Sequence, residues 1–94
     1  PPAPGLTSPD NNAVVPLTFP LEWETVPGAE SYQIQLSTSS YFTNALLFDD
    51  IVENEEIITL TAAGKYYWRV RAKGCADAYG AWSAYRIITV TVTN

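Results

Sequence analysis

A chain of 94 residues is the length of one domain, and with ten carboxylates against five cations it carries a formal charge of −5. That charge repels phosphate backbones and sets nucleic acid aside as a partner. The lack of any histidine removes Cys-His and Ser-His-Asp chemistry and histidine-bound zinc, and a single cysteine, Cys75, leaves no internal disulfide. A domain of this size buries roughly two thirds of its unfolded surface, enough for one core and no second lobe. No apolar run approaches the ~20 residues that span a bilayer, and no signal peptide opens the sequence.

In chain order, residues 1–6 (PPAPGL) read as a linker or a cut through one, and residues 7–94 as the domain. Thr7–Pro9 and Val14–Val15 form one interrupted edge strand around the turn Asp10-Asn11-Asn12. Thr18–Glu24 alternates, with Phe19, Leu21 and Trp23 on one face. Val26-Pro27-Gly28-Ala29 is a turn, and Ser31–Ser37 a strand with Tyr32, Ile34 and Leu36 inward and Gln33 and Gln35 outward. A polar loop holding Tyr41 and Phe42 leads to a short edge strand, Leu46–Phe48, closed by Asp49 and Asp50. An acidic turn, Glu53–Glu56, precedes a strand at Ile57–Thr61. The run YYWRVRAKG, Tyr66–Gly74, alternates again. It sets Tyr66, Trp68, Val70 and Ala72 against Tyr67, Arg69, Arg71 and Lys73. After a loop with two glycines, Tyr85–Thr93 ends the chain as a β-branched strand. About seven short strands without helical periodicity predict two antiparallel sheets packed face to face.

Several segments together resemble a fibronectin type III domain of the kind found in bacterial secreted and cell-surface proteins. They are Leu21-Glu22-Trp23, Val26-Pro27-Gly28-Ala29, Tyr32 with Leu36-Ser37-Thr38-Ser39, Leu60, Tyr66, Trp68-Arg69-Val70-Arg71-Ala72 and Gly80-Ala81-Trp82-Ser83. The resemblance runs from about Ser8 to Val92. It implies an all-β, seven-stranded immunoglobulin-like sandwich with Trp23, Tyr32, Leu36, Leu60, Tyr66, Trp68 and Val70 as structural core. It also implies a tyrosine corner built from Leu60 and Tyr66, with Ala62 where a proline is common, and a buried Tyr66 hydroxyl. The family carries no catalytic residues and needs no cofactor; it builds spacers, scaffolds and protein-binding surfaces. Fold alone does not fix function.

Each candidate site has a plain reading beside a sharper one. Glu22 and Glu24, roughly 7 Å apart on a strand face, have glycosidase-like spacing, yet a flat wet face does nothing to raise a carboxyl pKa. Asp49, Asp50, Glu53, Glu55 and Glu56 lack the spacing of a calcium loop; a weak surface calcium site is the alternative to a plain acidic loop, and no metal is assigned. Cys75 reads as a free thiol partly tucked under a loop. The aromatics and cations carry more information. Tyr67, Arg69 and Arg71, with the loop rings Tyr41, Phe42 and Tyr79, are the candidate binding residues, against a solvated strand face as the plain alternative. Trp82 is expected over the edge of the last strand. The expectation is a non-catalytic accessory module, a spacer or docking domain in a larger, exported bacterial protein. Its partners would be neighbouring domains, and protein or polysaccharide. The alternative is a carbohydrate-binding module using exposed rings.

Overall fold

The computed structural model describes residues 2–92. It holds eight strands: β1 (Leu6–Ser8), β2 (Ala13–Val15), β3 (Thr18–Trp23), β4 (Ser31–Ser37), β5 (Leu46–Ile51), β6 (Glu55–Thr59), β7 (Gly64–Lys73) and β8 (Arg86–Val90). They form a three-stranded sheet, β1-β3-β6, facing a five-stranded sheet, β2-β8-β7-β4-β5. The inward positions are those the alternation named. Trp23, Trp68, Phe19, Leu21, Ile34, Leu36, Ile58, Ile88, Val70 and Val90 are buried almost completely. Burying each such side chain contributes roughly 1.5–3 kcal/mol before chain entropy is charged against it. Tyr32 and Leu60 join this core, and Tyr66 packs against it half-buried.

The first strand is two strands. β1 pairs antiparallel with β3, whereas β2 pairs parallel with β8, so the chain crosses from one sheet to the other between Ser8 and Ala13. Asn12, at φ 67°, makes the turn, a conformation Asn tolerates better than most residues. Backbone and side chain then dock it on β8: Asn12 N–H donates to Ile87 O at 2.7 Å, and Ile87 N–H donates to Asn11 Oδ1 at 2.8 Å. The larger sheet is therefore mixed at that edge. Attachment also begins before Thr7, since Pro4 is buried and Glu24 N–H donates to Gly5 O at 2.8 Å.

Other boundaries moved for local reasons. Asp50 adopts φ 55° and the β4–β5 register shifts between Tyr32 and Ile34, a bulge that carries β5 past Asp49 so that Ile51 reaches the core. β6 starts at Glu55 because Glu55 and Glu56 pair with Glu22 and Leu21 despite their charge. β8 ends at Val90, and Thr93 lies outside the described residues. Val26–Ala29 closes with Ala29 N–H on Val26 O at 3.1 Å, with Gly28 at φ 81°, the position of a type II turn after Pro27. The Tyr32 hydroxyl accepts from Val26 N–H at 2.9 Å, and its ring meets Trp23 edge-on at 5.4 Å, tying that turn to the core.

The registers fix where the chain enters and leaves. Leu6 pairs with Trp23, beside the Val26–Ala29 turn, whereas Val90 pairs with both Val15 and Gly64 at the far end. The Cα envelope measures 44 × 23 × 19 Å. The described ends therefore lie at opposite poles of an elongated body.

The tyrosine corner forms, with Tyr66 Oη donating to Ala62 O at 2.9 Å, but that bond is exposed rather than buried. Water can replace the lost partner, so Tyr66→Phe should cost about 0.5–1.5 kcal/mol in equilibrium urea unfolding, whereas Leu21→Ala should cost about 2–5 kcal/mol. Equal losses from the two variants would show that the hydroxyl is more deeply desolvated than its exposed bond indicates.

Candidate functional site

The outer face of the five-stranded sheet begins with β7. Its period of two turns Lys65, Tyr67, Arg69, Arg71 and Lys73 outward. The antiparallel register sets Gln35 opposite Arg69 and Gln33 opposite Arg71. Arg69 donates from Nε (2.8 Å) and Nη2 (2.6 Å) to Gln35 Oε1, and Arg71 Nε donates to Gln33 Oε1 at 2.8 Å. Gln33 is buried, and its amide nitrogen also reaches the Tyr79 hydroxyl at 3.4 Å. Each arginine is thus held by a neutral acceptor.

The rings come from two loops. β8 pairs with β7 only as far as Trp68–Arg86, leaving the rest of the β7 edge open. Residues 79–83 fill that edge. Gly80 N–H donates to Ala72 O and Ser83 N–H to Val70 O, each at 2.8 Å, while Val70 N–H donates to Ser83 Oγ at 3.0 Å. With Ser83 buried against Val70, Trp82 falls on the outer side beside the arginines. From the other direction, Phe42 sits at φ 58° in a turn closed by its N–H on Ser39 O, and Ser37 Oγ donates to Thr43 O at 2.8 Å. This folds Phe42 back onto the sheet, where it is only 9% exposed.

The result is a ladder. The Arg69 guanidinium lies 4.1 Å from the Phe42 ring centre and 4.6 Å from that of Trp82; Arg71 lies 4.5 Å from Trp82 and 4.0 Å from Tyr79. Tyr85 meets Phe42 and Tyr67 edge-on at 6.2 and 5.3 Å, and Lys65 sits 5.4 Å over Tyr67. Burial, and then the neighbouring Arg71, lower the Arg69 pKa from its ordinary value, which still leaves it a cation at neutral pH. At the far side the Gln33 amide, and then the Asp50 backbone N–H, hold the Asp49 carboxyl below its usual value.

Of the residues singled out from sequence, Tyr67, Arg69, Arg71, Phe42 and Tyr79 share this face. Tyr41 does not: it is 91% exposed, its N–H held by Ser39 Oγ. Phe42 is a bracing ring rather than an exposed loop ring. Trp82 stacks over β7, not on the edge of the last strand, and Tyr85 joins the ladder with it. The signal for Trp82 was the parity of Gly80-x-Trp82-Ser83 against β7, which cannot be read before the segment is known to run beside that strand. Cys75 is exposed on a 3-10 turn at Cys75–Asp77, not tucked away. Glu22 and Glu24 stand on or beside the opposite, three-stranded sheet. Among the described residues no group of three His, Cys, Asp or Glu side chains could hold a metal ion.

Among solved structures, an Fn3-like protein from Clostridium thermocellum superposes with a TM-score of 0.73 at 29% identity, over 99% of this chain and 97% of that one. The chain has a fibronectin type III-like fold. A fibronectin type III domain from the human KIAA0970 protein matches with a TM-score of 0.69 at 17% identity, over 99% of this chain and 74% of that one. The Streptomyces avermitilis alpha-L-rhamnosidase complexed with L-rhamnose matches with a TM-score of 0.57 at 18% identity, over 94% of this chain and 10% of the enzyme. No family profile and no curated protein matches the chain. The chain has no histidine, and the described polar groups of the most elaborate surface of this fibronectin type III-like fold bind one another.

Removing the shared ring should loosen the whole face. Trp82→Ala is expected to cost about 1–3 kcal/mol of unfolding free energy, and Arg69→Lys a similar amount, because a lysine can neither fork onto Gln35 nor lie flat between rings. Thermal or urea unfolding reads both; unchanged midpoints would mean that the ladder adds no stability. The Asp49 contribution has the sign of a depressed carboxyl. It is present above the ordinary carboxylate pKa of about 3.9 and fades as the pH falls below it. Asp49→Asn should therefore differ from wild type at neutral pH and converge with it in acid.

Proposed function

We propose that the domain is a rigid, in-line spacer: a non-catalytic accessory module within a larger, exported bacterial protein, secreted or held at the cell surface, with neighbouring domains as its partners. The domain proper spans residues 7–94 in this reading, with residues 1–6 leading into it. The observation that carries it is the placement of the ends. Leu6 lies by Trp23 at one pole, and Val90 by Val15 and Gly64 at the other, on a body 44 Å long. A chain threaded this way adds its long axis to the separation of whatever flanks it. The ladder supports rigidity, because it fastens β4, β7 and the two flanking loops into one unit. The match to a tenth of a much longer rhamnosidase chain supports an accessory place for this fold.

Carbohydrate binding is supported less well. A sugar stacks on a free ring face. The Phe42, Trp82 and Tyr79 rings each already hold a guanidinium, and Tyr41, the fully exposed ring, stands apart from them.

Replacing the domain in its parent by an unrelated sandwich of equal length, with ends at opposite poles, is expected to preserve the parent's activity. Deletion should impair it. Rescue by the original alone, lost on Arg71→Ala or Tyr79→Ala without unfolding, would sink the spacer reading in favour of docking. Retention on a glycan array, lost on Tyr41→Ala, would support the carbohydrate alternative instead.

A further inference from the structure

The charges of this domain are sorted by face. Four of the five cations, Lys65, Arg69, Arg71 and Lys73, stand in one row on the outer side of β7. Among the described residues Lys65, Arg69 and Arg71 make no ion pair; their partners are rings and glutamine oxygens. That is unexpected in a chain with twice as many acids as bases; Asp49 acts electrostatically on Arg71 and Lys73 at one end of the row, one carboxylate against four cations. The outer face of the three-stranded sheet has the opposite problem. Glu22 and Glu55 are direct cross-strand partners on it, with Glu24 and Glu53 just beyond the strand ends. Like charges placed opposite each other destabilise a sheet pair. Neither Glu22 nor Glu55 has a side-chain ion pair or hydrogen bond to the described residues. The rest of this face is flat: Thr18 bonds Thr59 at 3.2 Å, and Pro20 pairs with Ile57, which is 65% exposed at its centre.

The two charge sets lie at nearly the same height. Trp23 and Tyr32 touch across the core, so Glu22, next to Trp23, is level with Gln33, next to Tyr32, and hence with Arg71. We propose that the cation–aromatic face of one copy docks on the Glu22–Glu55 face of a second copy. Moving one copy along the sheet normal brings Glu22, and Glu55 opposite it, to the height of Arg71, and Pro20 with Ile57, two residues further along, to the height of Arg69. The contact is heterologous, front to back, so it can repeat from copy to copy. A face 44 Å long and at least 19 Å wide is enough for the ~800 Å² per partner of an ordinary interface. The occupant is a second copy because this chain itself supplies the complementary charges at the matching height.

Sedimentation of the isolated chain tests this. At about 0.01 M salt, where charges act over roughly 30 Å, the weight-average mass should rise with protein concentration beyond that of the monomer. At about 1 M salt, where they act over about 3 Å, it should return to the monomer. The double variant Glu22→Lys/Glu55→Lys, which leaves the ladder intact, should stay monomeric in both. Lys65→Glu/Arg71→Glu should also stay monomeric alone, and mixing the two folded variants should restore association. If the second variant fails to fold, Lys65→Glu alone should weaken association. A monomer at every concentration up to about 1 mM would overturn the proposal, since weaker contacts than that fall below ordinary binding. Association that survives high salt or the glutamate substitutions would also overturn it, and would point to the open β5 edge with its exposed Leu46 and Leu47. Binding of poly-glutamate to the ladder face without self-association would overturn it in favour of an acidic partner of another kind.

Discussion

The antiparallel register between β4 and β7 is the constraint on which both faces of the larger sheet depend. On the inner side it sets Tyr32, Ile34 and Leu36 opposite Ala72, Val70 and Trp68, the centre of the core. On the outer side the same ladder sets Gln33 and Gln35 opposite Arg71 and Arg69. A slip of one residue would exchange the two sides and place guanidiniums in the core, at a desolvation cost the fold could not meet. The hydrophobic pattern and the outer ladder therefore enforce one alignment together.

That alignment also explains why the outer face is built from neutral acceptors. A carboxylate opposite each arginine would give a salt bridge worth little at an exposed surface. Glutamine instead accepts one or two donated bonds and leaves the guanidinium plane free to lie against rings. Phe42 and Trp82 then cover what would be wet backbone, and β4 becomes almost wholly buried although its outer residues are polar. The strand behaves as a central element on both sides because loops, not a third layer, close over it.

The ends of the chain follow from the same economy of edges. β8 is shorter than β7, so the β7 edge needs a second partner, which residues 79–83 provide. On the other margin β2 pairs parallel with β8 and carries the chain to the pole from which β3 starts. The sandwich is thus traversed from pole to pole, and its two broad faces, one cationic and aromatic, one acidic and flat, are left available along the whole length.

Much of this was legible in the residues. Alternation in Phe19–Trp23, Tyr32–Leu36 and Tyr66–Ala72 named the inward side chains, because a strand has only two faces and water selects between them. The Pro27-Gly28 turn was legible because its backbone demands a positive φ that glycine meets without strain. Arg69 and Arg71 could be placed outside, as could Gln33 and Gln35, but their pairing came only with the register of β4 on β7. The split of the first strand could not be read, since two three-residue strands carry too little pattern to reveal a change of sheet. Nor could β5 beyond Phe48, where Asp49 and Asp50 look like a stop until the bulge turns Ile51 inward. The assembly of Phe42, Trp82 and Tyr85 over the arginines belongs to tertiary structure alone. These rings lie 27 residues or more from Phe42 to its guanidinium partner and 11–13 from the arginines to Trp82. Only the closing of two loops onto one sheet, each positioned by backbone hydrogen bonds to strands distant in sequence, brings them within stacking distance.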